Sequence, residues 1–200
     1  MPQLAQNKRG YIRGVRGAVI TTLNADGTTP GSPTKVGVKT AQEIGVEMEV
    51  EEGEASTLRG GDKVLARVKD PDTIVGVNLT LKDARFDAHA LQAVSGGTLV
   101  TVVEGADTRV IGWEAPTIDQ QQTPPVFQVE VYAQSYDARS ASEGFMKYTF
   151  FFCRGVIKGV TMSDKEWSAP EFNLIALQNP SLTSGVYRGE FVAALPAELL

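Results

Sequence analysis

The sequence predicts a mainly β protein: one domain over residues 1–200, a sandwich or barrel with a single short flanking α-helix. Three observations predict it. Segments 73–82 and 126–134 alternate apolar and polar residues with the period of two that sets one strand face in a core and the other in water. The 20 glycines and 10 prolines are scattered as turn punctuation between short apolar runs. No strand–helix–strand repeat runs along the chain, which argues against a parallel α/β sheet. At 42% hydrophobic residues, a chain of 200 can fill a sizeable core.

The elements follow in order. Residues 1–11 form a basic arm with little apolar content. Strands are expected at 14–23, 35–39 and 45–52. A long hairpin tip over 52–62, carrying Gly53, Gly60 and Gly61, leads into a strand at 63–69. In 73–82, Val75, Val77, Leu79 and Leu81 point to the core, while Asn78, Thr80 and Lys82 point away. Asp87 is placed to cap a helix over 88–94 by accepting from an orphan backbone N–H. Phe86 is expected to staple onto Leu91, and Gly96-Gly97 to end the helix. Strands at 98–103 and 110–113 precede a loop at 114–125, where Pro116, Pro124 and Pro125 forbid a continuing strand. In 126–134, Phe127, Val129, Val131 and Ala133 face inward and Gln128, Glu130 and Gln134 outward. Further strands are expected at 147–153, 156–162 and 172–177.

Composition narrows the chemistry. His89 and Cys153 are the only residues of their types, so neither a disulfide framework nor a cysteine-rich zinc site is possible, and no metal or cofactor is expected. His89 lies in the predicted helix with no second His or Cys near it in sequence. Cys153 ends the aromatic run 148–152, where a buried, inert thiol is expected. The phosphate-cradling and dinucleotide-binding glycine motifs are absent. The sequence therefore predicts a protein that is not an enzyme. No run approaches about 18 apolar residues, so no membrane-spanning helix and no membrane insertion are expected, and the first residues lack the layout of a signal peptide. Trp113 and Trp167, with Tyr132, Tyr136, Tyr148 and Tyr187, fit either core packing or a sugar-binding platform.

Charge is unevenly spread within a net −5. Residues 1–39 carry Lys8, Arg9, Arg13, Arg16, Lys35 and Lys39 against Asp26 alone. Residues 40–62 carry Glu43, Glu47, Glu49, Glu51, Glu52, Glu54 and Asp62 against Arg59 alone. Such blocks suit self-association, one copy's arm meeting another's hairpin, or else two separately solvated surfaces. Glu47, Glu49 and Glu51 share one strand face, with Val46, Met48 and Val50 on the other. Like charges at that spacing repel and are tolerated where water screens them. The face is then an ordinary wet surface, or the wall of a channel that repels nucleic-acid phosphates. An acid pair for glycoside hydrolysis needs a cleft that nothing in the sequence suggests.

The stretch Ile74-Val75-Gly76-Val77-Asn78-Leu79-Thr80-Leu81-Lys82-Asp83-Ala84-Arg85-Phe86-Asp87, followed by the short helix and Ser95-Gly96-Gly97, resembles the major tail tube proteins of long-tailed (siphovirus-type) bacteriophages. Phe127 to Tyr132, Tyr148 to Gly155, Val160 to Trp167, Phe172 to Ala176 and Asn179-Pro180 to Tyr187 extend the resemblance over a little more than half the chain. It implies a structural subunit that closes into hexameric rings, stacked into a tube that conducts DNA during ejection. Its partners would be other copies of itself, with a tape measure protein and tail-end proteins; DNA would pass without specific binding. It would reside in the virion tail, and in the bacterial host cytoplasm during assembly. On this reading Glu47, Glu49 and Glu51 face the lumen. Lys8, Arg9, Arg13, Arg16, Glu52, Glu54, Arg59 and Asp62 contact a neighbouring subunit or ring. Two alternatives stand beside it: a monomeric β-sandwich that binds carbohydrate in adhesion, and a tail terminator or neck protein that forms one ring and stops.

Overall fold

The computed structural model describes residues 10–105, 107–137, 142–160, 164–165 and 167–200. Strands β1 (Tyr11–Leu23), β2 (Lys35–Val38), β3 (Ala41–Glu51), β4 (Ala55–Gly60), β5 (Lys63–Lys69) and β6 (Thr73–Asp83) precede helix α1 (Ala88–Ser95). Strands β7 (Thr98–Glu104) and β8 (Asp107–Glu114) and the single-turn helix α2 (Ile118–Gln121) follow. Strands β9 (Val126–Tyr136), β10 (Ser142–Val160), β11 (Pro170–Ala176) and β12 (Tyr187–Val192) and a 3₁₀ turn at Ala197–Leu199 complete the chain. The protein is mainly β with few short helices, as its sequence predicts.

Eight strands form one antiparallel sheet in the order β2-β1-β9-β10-β11-β6-β3, with β12 also paired to β10. The long strand β10 turns the corner between two halves. Its first half lies between β9 and β12, with Phe150 opposite both Val129 and Tyr187. Its second half pairs β11 from Cys153–Ala176 to Val160–Pro170. The strands at the two ends of the path, β2 and β3, are consecutive in the chain, joined only by Lys39-Thr40. The sheet is thus curled until its ends come together, and its halves face each other as a sandwich. Between them lie Ile20, Val38, Val77, Leu79, Leu81, Phe127, Val129, Phe150, Phe172 and Leu174, all buried. Each such side chain contributes roughly 1.5–3 kcal/mol on leaving water.

Helix α1 plugs this core with Ala90, Leu91, Ala93 and Val94. Asp87 caps it as expected: its Oδ1 accepts from His89 N at 2.9 Å and Ala90 N at 3.4 Å. Gly96 and Gly97, at φ +77° and +85°, end it in the left-handed region that favours glycine. The expected staple differs, since Leu91 is fully buried whereas Phe86 stays half exposed outside the core.

The predicted inward faces of β6 and β9 hold, except at Val75. A register shift in the ladder between the Glu49–Gly76 and Val50–Ile74 pairs leaves Val75 exposed. On β9 the outer face is not wet throughout. Tyr132 and Gln134 are buried, Tyr132 in a second apolar cluster with Val19 and Leu199. The C-terminal turn supplies that cover, seated where Gly17 and Gly37 leave no space for a Cβ; one at Gly37 would lie 2.1 Å from the Glu198 carbonyl oxygen. The strands expected at 147–153 and 156–162 are one, β10, and β12 was not expected at all.

Candidate functional site

A groove of about 270 Å³ is lined by Arg85, Phe86, Asp87, His89 and Ile111. Asp87 is already committed to capping α1, and His89 lines this groove beside Arg85 and a second cavity with Thr22, Thr34 and Gln92. Cys153 is fully buried, burial pushes its thiol pKa well up, and its Sγ donates to the Phe150 carbonyl at 3.6 Å. It is a core residue. Among the described residues, no three His, Cys, Asp or Glu side chains gather as a metal site. Also among them, no helix is long and apolar enough to cross a membrane.

The aromatic side chains are mostly spent on packing. Trp113 packs against the core, and its indole N–H donates to the Gly96 carbonyl at 2.8 Å. Tyr148 also packs against the core, and Tyr187 stacks on Phe150 at 5.9 Å. Trp167 differs, at 98% exposed.

What stands out is surface. Two antiparallel ribbons, β4–β5 and β7–β8, are paired within themselves and not to the large sheet. Gly105, which follows β7, lies in the left-handed region at φ +69°, and the first ribbon turns on the two-residue link Gly61-Asp62, with Gly61 at φ +64°. A glycine first in the link is what a type II′ hairpin turn requires. Both ribbons expose large apolar residues: Leu58, Val64, Leu65 and Val68 on the first, Val103 and Ile111 on the second.

The β4–β5 ribbon continues the β3–β6 pair. Between them the Asp70 N–H donates to the Glu54 carbonyl at 3.0 Å, and the Gly53 N–H to Asp72 Oδ1 at 3.0 Å. Lys69 Nζ lies 2.9 Å from Asp72, and that hydrogen bond, with the one from Gly53, holds the Asp72 carboxyl below the usual carboxylate range. The expected long tip at 52–62 is therefore short. Residues 55–60 are strand, and only Gly61 and Asp62 turn the chain.

The predicted contact residues fall in three places. Glu47, Glu49 and Glu51 project from one face of β3, opposite Asn78, Gly76 and Thr73 of β6, all three exposed. Glu52 and Glu54 lie in the link, Arg59 on β4 and Asp62 at the turn. Arg13 and Arg16 stand exposed on β1, where register shifts at Gly14 and Arg16 break the ladder to β9. Arg16 Nε donates to Gln134 Oε1 at 3.2 Å. Lys8 and Arg9 lie outside the described residues.

The fold also divides the acidic block that the sequence presents over 40–62. Glu47, Glu49, Glu51, Glu52 and Glu54 belong to β3 and the link, whereas the ribbon carries Arg59, Lys63, Arg67 and Lys69 against Asp62 alone. Sequence reasoning missed Arg67 and Lys69 as surface determinants. The signal was available in the spacing of two that Thr57 and Arg59, and then Arg67 and Lys69, keep on either side of Gly60-Gly61.

No protein family model matches the chain, and no curated protein matches it. Among solved structures, a chain of the anti-feeding prophage (AFP) baseplate, determined by cryo-EM with 6-fold symmetrisation, is similar at 10% identity. The match covers 91% of this chain and 100% of that one, with a TM-score of 0.35.

Proposed function

We propose that this chain is a structural, non-enzymatic subunit of a phage tail tube, assembling into stacked hexameric rings whose acidic lumen lets DNA pass without binding. The observation that carries the reading is the exposed, continuous β arm of β3–β6 and β4–β5, with apolar residues and a free strand edge. A lone folded chain has no use for such a surface, and ring closure removes it. The sequence resemblance in 74–97 supports the same reading, because that stretch is the strand β6, the Asp87-capped helix and the Gly-Gly turn. Glu47, Glu49 and Glu51 face the lumen in this proposal, where carboxylates repel the phosphate backbone. Other copies are the main partner, with tape measure and tail-end proteins at the tube's limits.

Negative-stain electron microscopy over a protein concentration series tests the proposal. Hollow tubes of stacked rings are expected. Isolated rings that never stack would favour a terminator or neck protein, and monomers at every concentration would overturn the assembly reading. Replacing Glu47, Glu49 and Glu51 with Gln is expected to leave tubes intact and impair DNA passage. Unchanged infectivity would remove these residues from the lumen.

A further inference from the structure

We infer that the β4–β5 ribbon of one copy adds to the free edge of β3 in a second copy, setting Arg59 and Arg67 beside Glu47 and Glu49. This rests on the assembly reading above and names the two surfaces that meet.

Strand β3 ends the large sheet. It has β6 on one side and, among the described residues, no strand on the other. From Gly45 to Glu51 every residue is exposed, Val46, Met48 and Val50 at 48%, 38% and 49%. An edge of that length presents unpaired backbone N–H and C=O groups, a template for another strand.

Register identifies the faces. On β3, Glu47 and Glu49 lie on one face, and Val46 and Met48, opposite Leu79 and Val77, on the other. On the ribbon, Arg67 lies opposite Thr57, and Arg59 is two residues beyond Thr57 on the same strand, so the two arginines share a face; a register shift between the Leu58–Ala66 and Arg59–Val64 pairs brings Val64 opposite Arg59. Lys69 shares it but is engaged by Asp72. The reverse face carries Leu58 opposite Ala66 and Val68 opposite Ser56. Away from the turn both surfaces thus have one charged and one apolar face, and their charges are opposite; beside the turn, Val64 lies on the basic face and Lys63, opposite Gly60, on the reverse one.

Two arrangements satisfy the charges, and only one satisfies both faces. Stacking the ribbon's basic face on the acidic face of β3 would leave both apolar faces in water. Side-by-side addition continues the sheet, so that arginine lies beside glutamate on one face and Leu58 and Val68 beside Val46 and Met48 on the other. The chain's own ribbon is not free to do this. The link holds it as an extension of β3–β6, through the Asp70–Glu54 and Gly53–Asp72 hydrogen bonds. A Cβ at Gly53 would lie 2.0 Å from the Asp70 carbonyl oxygen, so the strands pass too closely at this point for any other residue. Donor ribbon and acceptor edge are different surfaces, so the contact is head-to-tail and propagates into rings or filaments.

Charge reversal in the full chain tests this by sedimentation and electron microscopy, with circular dichroism melts as the folding control. Arg59→Glu with Arg67→Glu is expected to abolish sedimenting assemblies, and so is Glu47→Arg with Glu49→Arg. All four changes in one chain are expected to restore assembly, as is an equimolar mixture of the two double variants, in which each ribbon meets an edge of opposite sign. Double variants that each assemble like the unmodified chain would overturn the inference. So would folded double variants that neither the mixture nor the quadruple change rescues. An unmodified chain that stays monomeric at every concentration fails differently, because it removes the assembly reading itself.

Discussion

Strands β9 and β5 are built from similar residues and use them in opposite ways. In β9, Phe127, Val129 and Val131 are all buried, held between the two halves of the sheet with α1 packed into the same core. In β5, Val64, Leu65 and Val68 are each more than half exposed. Both strands are rich in residues of good β propensity. Only β9 has a neighbouring strand on each side, in β1 and β10, and a layer above it. Apolar character in a strand therefore fixes that it will be paired, while position in the sheet order decides whether the cover comes from the same chain.

The sharpest way to break this comparison is to truncate one residue on each side of it. Phe172→Ala removes a fully buried ring from β11 and is expected to cost about 3–5 kcal/mol. Leu58→Ala in the ribbon is expected to change the stability of the isolated chain by less than about 0.5 kcal/mol. Urea denaturation of dilute protein measures both. A Leu58→Ala cost approaching that of Phe172→Ala would mean that the ribbon is covered within one chain.

A second test concerns the charged side of the body. Lys147 reaches Glu190 at 2.5 Å and Glu130 at 3.4 Å, and is only 18% exposed. Burial opposes its charge, but the hydrogen bond to Glu190 and the fields of both carboxylates raise its pKa all the same. The Tyr132 hydroxyl donates to Glu130 at 3.3 Å, and burial, then the nearby carboxylates, push its pKa upward. Lys147→Met leaves two carboxylates facing each other without their cation, at an expected cost of about 1.5–3 kcal/mol. The same denaturation assay reads it. Asp87→Ala removes the helix cap and is expected to cost about 1 kcal/mol, seen as a lower melting temperature.

The smallest effect is in acid. The hydrogen bond from Lys158 holds Glu171 below the usual carboxylate range, at a distance of 2.7 Å. A carboxyl with a depressed folded pKa adds stability that is complete above its ordinary pKa and is lost as pH falls through the folded value. Melting temperature is therefore expected to drop below about pH 4, and Lys158→Met to flatten part of that drop. Parallel curves would leave Glu171 without a role in acid stability.

Legibility in the sequence followed how local each cause was. Strands β6 and β9 and the capped helix α1 rest on spacing of two, an aspartate and a pair of glycines, all within a few residues. Strand β12 was hidden because Gly189 interrupts its short alternation; in the fold the Met146 side chain lies over that glycine, where a Cβ would sit 2.7 Å from its Cε. The burial of Tyr132 depends on chain more than 60 residues away, at Leu195 and Leu199. The acidic row of β3 was legible from its spacing. Its separation from the basic ribbon was not, because charge summed along the chain mixes a strand with the hairpin that follows it.

Cys153 lies where β10 changes partners, opposite Phe127 of β9 on one side and Ala176 of β11 on the other. As the sole cysteine it makes the chain a natural clock for its own opening: a thiol reagent can react only when that junction separates. Labelling rates in dilute and in concentrated protein would then report whether contacts made far out on the arm hold the seam of the body shut.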